Sequence, residues 1–207
     1  MMKQSKVWLA LLGATVALGA LVGTASARNL SISNQSIRAT WAAMEFSNPS
    51  AGVLVRCPVT LEGSLHSRTI AKVVNSLIGY ITRAAVAEGS CVGGRARVRT
   101  ETLPWHVTYQ GFSGTLPNIL TIRTTVARPA FDVTATFFGF PITCTFRTSN
   151  VNGIFNREAG GALTNVQVEG RELAGEGGFG CERGNLAGTS TSLTLLGAAT
   201  RLTVTLI

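Results

Sequence analysis

Two imidazoles, His66 and His106, and one aspartate, Asp132, bound the acid–base chemistry that this chain could assemble around its many serines. With Ser113 as nucleophile, His106 as base and Asp132 to orient it, a hydrolytic triad is conceivable, because triads are set by geometry and not by chain order. The nucleophile-elbow pattern is missed: Gly111-Phe112-Ser113-Gly114-Thr115 lacks its final glycine. A histidine facing away from the core on an alternating strand accounts for His106 without any chemistry. Five carboxylates, Glu158, Glu169, Glu172, Glu176 and Glu182, crowd the C-terminal third. Two of them held at a suitable separation could cleave glycosides. Their position in and beside a glycine-rich stretch reads more simply as solvated charge.

Gly175-x-Gly177-x-x-Gly180 matches the dinucleotide fingerprint as text only. The pattern acquires meaning where a strand feeds a helix with an acidic residue about 20 positions on, and that context is missing. Arg95-Ala96-Arg97-Val98-Arg99 is sharper. On a strand its three guanidiniums leave one face at two-residue spacing, a ladder suited to bidentate contact with phosphate or carboxylate polymers such as an anionic envelope polymer. The simpler reading is a solvated sheet face whose arginine stems cover apolar neighbours. Trp105, Tyr109, Phe112, Phe137, Phe138 and Phe140 would stack on sugars if exposed, and build the core if not.

The elements that must position these groups read as strands. Pro104 cannot donate to a ladder, so a strand starts after it, with Trp105, Val107 and Tyr109 alternating against His106, Thr108 and Gln110. Gly111, Gly114 and Pro117 predict a turn before the apolar run from Ile119. Segments 119–126, 130–138 and 142–147 are β-branched and aromatic, and 53–63 is a strand with an edge or bulge at Pro58. Residues 37–46 suit a strand or a short helix. The best helix lies over 67–77, where Ile70, Val73, Val74 and Leu77 share a face. The N-terminal stretch to Gln35 is polar and reads as extended or poorly ordered, 150–161 as a loop, and 170–188 as irregular. Residues 192–196 and 202–207 predict a closing hairpin. Many short strands between turn signals indicate an all-β fold, an antiparallel β-sandwich or barrel with at most one short helix.

The cysteines say where such a fold matures. Cys57, Cys91, Cys144 and Cys181 are an even set in a chain that opens as an export signal, which implies bridges. Sequential pairing, Cys57–Cys91 and Cys144–Cys181, closes loops of similar length, with the strand from Trp105 between two disulfide-closed halves. No Cys-x-x-Cys spacing suggests zinc, and no metal or cofactor is expected. The signal is Lys3 and Lys6, an uncharged apolar run over 7–22, and Ala25-Ser26-Ala27 as the small-x-small cleavage site. Residues 1–27 are therefore expected to be removed, leaving 28–207 as a single exported domain with no stable membrane span. Losing the two lysines lowers the net charge from +8 to +6.

The pieces Leu-Pro-Trp-His-Val-Thr-Tyr (103–109), Gly-Thr-Leu-Pro-Asn-Ile (114–119) and Cys-Pro-Val-Thr-Leu-Glu-Gly-Ser (57–64) resemble a group of uncharacterised exported proteins of GC-rich Gram-positive bacteria. That resemblance runs from about Cys57 to the C-terminus and implies export, with no activity, ligand or site attached. The expected function is that of a secreted or envelope-associated, non-enzymatic protein, structural, adhesive or ligand-binding. Arg95, Arg97 and Arg99 are its candidate anion-binding face, and nucleic acid is not an expected partner. The alternatives are a secreted hydrolase using His106 and a small-ligand carrier of β-barrel type. The carrier requires an empty barrel interior.

Overall fold

The structure, a computed structural model, describes residues 29–207 apart from residue 179 and the side chain of residue 50. The expected signal peptide, residues 1–27, lies outside the described residues.

Fifteen strands run through the described chain. They are β1 (Asn29–Ile32), β2 (Ser36–Asn48), β3 (Val53–Leu65), β4 (Thr69–Ala71), β5 (Leu77–Val86), β6 (Gly94–Val98), β7 (Trp105–Thr115) and β8 (Asn118–Val126). Then come β9 (Phe131–Phe137), β10 (Phe140–Phe146), β11 (Val151–Arg157), β12 (Leu163–Glu176), β13 (Arg183–Thr189), β14 (Ser192–Leu195) and β15 (Val204–Leu206). Among the described residues helix is limited to three-residue 3-10 turns at Pro49–Ala51, Glu88–Ser90 and Thr100–Thr102.

Eight strands close on themselves. The antiparallel order β11-β8-β7-β5-β3-β2-β13-β12 is completed by pairing of β12 back to β11. Closure leaves those strands without a free edge. Alternation then sorts side chains. Trp41, Val59, Tyr109, Ile122, Val151 and Val166 are buried, while Arg38, Arg83, His106, Arg123 and Asn152 lie on the outer surface. This is the inverse of a membrane barrel, which turns an apolar band outward. One end is covered by the three-stranded sheet β15-β1-β4, whose Leu30, Ile70 and Val204 are buried.

At the other end barrel strands run on into a smaller lobe, whose buried side chains are continuous with those of the barrel. β12 continues past its register shift to pair with β10, which pairs with β9, which pairs with β6. A bridge between Arg56 and Val92 draws the lead-in to β6 back onto β3. Phe131 sits at the centre of this small lobe. Its ring meets Phe46 edge-on at 5.1 Å and stacks on Phe146 at 5.3 Å.

Both disulfides, Cys57–Cys91 and Cys144–Cys181, have the expected sequential pairing. Their placement differs from expectation, because both staple the small lobe and neither closes a half on its own side of β7. Cys57 on β3 holds the turn before β6, and Cys144 on β10 holds the turn before β13.

Several local expectations are corrected. The segment 67–77 is not helical. Ile70 enters the lid sheet opposite Leu30, Asn75 takes a left-handed φ of 65°, and Val73 and Val74 are exposed. A helix this short is marginal in water without a packed apolar face, and the lid claims Ile70 for strand pairing instead. The polar start of the chain is ordered as β1, with Leu30 completely buried. Residues 37–46 lie within strand β2, and Pro58 sits at a bulge, where the β2 register shifts between Trp41 and Met44.

Residues 151–157 form a barrel strand, not a loop, and most of 170–188 is strand as well. Glycines at inward positions hid the period. A Cβ on Gly184 would lie 2.7 Å from the Phe146 ring, and one on Gly175 would lie 2.1 Å from the carbonyl oxygen of Cys181. β7 does not turn at Gly111; it runs to Thr115, with register shifts beside Gly111 and Gly114, and the turn comes at Leu116-Pro117. The C-terminal strands do not pair with each other, since β14 adds to β2 and β15 to β1.

Candidate functional site

The hydrolytic constellation is not assembled. His106 is exposed on β7, its ring edge-on to Tyr80 of β5 at 5.2 Å. Ser113 stands seven residues further along the same strand, roughly 20 Å away at strand rise. Its hydroxyl is hydrogen-bonded to that of Thr121 at 2.6 Å. Asp132 belongs to β9 in the small lobe, where it accepts from Thr145 Oγ1 at 2.6 Å and from Arg99 Nη1 at 3.4 Å.

The clustered glutamates are also separated, each by its own partner. Glu158 pairs with Arg201, Glu169 with Arg171, Glu172 with Arg183 and Glu176 with Arg147, while Glu182 Oε1 accepts from the backbone N–H of Gly180 at 3.4 Å. Gly175 lies within β12, and the described Gly177, Gly178 and Gly180 stand between β12 and β13 in no helix, so the dinucleotide pattern has no phosphate-binding context.

The barrel interior holds less space than the carrier reading requires. Trp41, Ile37, Leu61, Val107, Phe155 and Val166 are among the walls of an apolar cavity of about 90 Å³ in the barrel. Small-molecule sites are several times larger, and even an engineered cavity that takes benzene is near 150 Å³. The barrel is therefore largely filled by its own side chains. Trp41 is 1 % exposed, and its Nε1–H is the buried side-chain donor with no hydrogen-bond partner among the described residues.

The arginine ladder is present but not equivalent along its length. Arg95 and Arg97 are exposed on β6 and stand opposite Thr134 and Asp132 of β9. Arg99 is committed within the lobe. It donates to Glu101 Oε1 at 2.8 Å and lies against Asp132. The hydrogen bond to Glu101 and the charge of Asp132 raise the guanidinium above its ordinary value. The Glu101 carboxyl is held below the usual range by a backbone hydrogen bond and by Arg99, with a smaller contribution from the charge of Arg97. Seven further arginine–carboxylate contacts follow the same logic of pairing, while Arg95 and Arg97, like Arg68, Arg123, Arg128 and Arg157, have no ion pair among the described residues.

Two features escaped sequence reasoning. Glu62 is nearly buried on β3 and is flanked in register by Arg38 of β2 and Arg83 of β5. Nη2 of Arg38 approaches it at 2.7 Å and Nη1 of Arg83 at 3.6 Å. This cross-strand triplet ties three barrel strands together, and no local motif announces it.

The second feature is the tip of the β9–β10 hairpin. Phe137 and Phe140 are paired, leaving Phe138 and Gly139 as a two-residue loop with φ of 48° and 85°. Two positive φ values favour Asn-Gly there, and a bulky residue at the first position is strained by about 1–3 kcal/mol. Phe138 is nonetheless 83 % exposed and Phe140 73 % exposed, while Trp105 and Tyr109 are buried. The aromatic set thus divides between core and surface.

Compared with models of known families, with curated proteins and with solved structures, the chain matches none.

Proposed function

We propose that the chain is an exported, non-enzymatic binding protein of the cell envelope that engages an anionic partner through the outer face of its small lobe. The observation that carries this reading is that Arg95 and Arg97 stand exposed two residues apart on β6 without an ion pair, beside Arg99, which is paired. Eight arginines among the described residues are matched to a carboxylate, whereas Arg95 and Arg97 leave the same side of β6 exposed. Arg99, included in the expected trio, serves the lobe instead, so the proposed contact narrows to two residues. Planar guanidiniums at this spacing suit phosphate or carboxylate oxygens. Two disulfides in a small β protein fit maturation in an oxidising compartment.

The test is binding to a soluble polyphosphate at low and moderate salt, compared between the wild-type protein and the Arg95→Gln/Arg97→Gln variant. At low ionic strength each arginine beside an anionic surface contributes roughly 1 kcal/mol. The double variant should therefore lose about tenfold or more in affinity, and wild-type binding should weaken steeply across the Debye range. Binding that ignores salt, or that survives the double substitution, would remove the proposal.

A further inference from the structure

We infer that the anionic partner is a lipid bilayer, entered by the aromatic tip of the β9–β10 hairpin; this rests on the anionic-surface reading above and gives it a specific target. Phe138 and Phe140 are among the most exposed large apolar side chains of the protein, and they project from one hairpin end. Phe138 takes its position although the left-handed backbone there disfavours it. Its ring touches that of Phe137 at 4.4 Å between centroids, yet that contact leaves Phe138 largely exposed, and Asn would fit the turn better.

The shape of the feature favours a bilayer over the alternatives. A protruding hairpin tip can enter the boundary between headgroups and acyl chains without a preformed pocket in the partner. Sugar recognition would require hydrogen-bonding groups around the rings. The tip sequence Phe137-Phe138-Gly139-Phe140-Pro141 carries only apolar side chains.

Charge is placed at a matching height. Arg95 stands opposite Thr134, four residues back from Phe138 and hence about 13 Å from the tip at strand rise. An upright hairpin buried to roughly 5–10 Å would bring that guanidinium to the headgroup phosphates. Arg97 lies opposite Asp132, about 7 Å further out, where screening weakens its contribution.

The experiment uses the processed protein secreted into the medium, with its N-terminus verified. Co-sedimentation is measured with vesicles of phosphatidylglycerol and phosphatidylcholine, and with phosphatidylcholine alone; soluble polyphosphate binding is measured in parallel. Wild type should bind the anionic vesicles, and Phe138→Asn should lower that binding at least tenfold. Because Asn suits the turn, this variant should fold at least as stably as wild type, which a denaturant titration verifies. Phe138→Asn/Phe140→Thr should abolish vesicle binding and leave polyphosphate binding intact.

Equal vesicle binding by the aromatic variants and wild type overturns the inference, as does failure of wild type to bind vesicles. In the latter case retained polyphosphate binding leaves the arginine reading standing. Loss of polyphosphate binding in Arg95→Gln/Arg97→Gln, with aromatic-dependent vesicle binding preserved in full, would overturn the placement of Arg95 at the headgroup phosphates and with it the bilayer as the anionic partner.

Discussion

Replacing Cys144 and Cys181 together by alanine should destabilise the protein by about 4 kcal/mol, and replacing Cys57 and Cys91 should cost a similar amount. Each bridge closes a loop of 34 or 37 positions, and the chain entropy withheld from the unfolded state over such loops is roughly 4 kcal/mol. Typical domains hold only about 5–15 kcal/mol in total. Loss of both bridges is therefore expected to leave the fold marginal. Urea titration of the two pairwise variants measures the effect, and losses below about 1 kcal/mol would show that the bridges do not act as chain-entropy constraints here.

The losses should also be uneven in space. β10 meets β12 through only Thr145 and Phe146, and β6 is held by β9 along one side with the Arg56–Val92 bridge on the other. The barrel strands, in contrast, form a closed ladder around Trp41 and Tyr109. Hydrogen exchange in the Cys144→Ala/Cys181→Ala variant should therefore speed up first in β6, β9 and β10, with β7, β8 and β11 still protected. Uniform acceleration would mean that lobe and barrel unfold as one unit. The expectation bears on the proposed export as well, since the lobe presents Arg95, Phe138 and Phe140. In a reducing compartment the proposed binding surface would be the first part to open.

What the sequence disclosed, and what it concealed, follows from how each strand builds its inward face. β7, β8 and β9 were legible because their inward positions hold large apolar residues: Trp105 and Tyr109, Ile119 and Ile122, Phe131 and Val133. β11 and β13 were concealed because Gly153, Gly184 and Gly188 occupy such positions. The space there is filled by Thr124, Phe146 and Trp41, the first and last on the strands paired with β11 and β13, whose atoms lie within about 3 Å of where a Cβ would stand. A pattern scan counts glycine as a break, although a neighbour's bulk makes it a requirement.

The surface was half legible for a related reason. Spacing alone placed Arg95 and Arg97 on one face of a strand, and β6 bears that out. Spacing could not show that Asp132, 33 positions from Arg99, would claim the third arginine. Phe138 and Phe140 were weighed as core or platform because composition cannot tell a hairpin tip from the strand it interrupts.

Truncating Trp41 should separate volume from polarity at the barrel's centre. Trp41→Ala removes a fully buried indole and should cost about 3–5 kcal/mol, the range for aromatic-to-alanine changes in cores. Trp41→Phe also opens space beside the cavity of about 90 Å³, yet it deletes the Nε1–H that has no partner among the described residues. Burying an unsatisfied donor costs roughly 1–3 kcal/mol, so its removal should offset most of the lost packing. The phenylalanine variant is therefore expected within about 1 kcal/mol of wild type by urea unfolding. A loss of 2 kcal/mol or more would mean that the indole N–H is satisfied, and a water in the cavity would be the first group to seek there. Such a water needs two or more polar partners, and the nearly uninterrupted apolar lining around Ile37, Leu61, Val107, Phe155 and Val166 argues for the smaller loss.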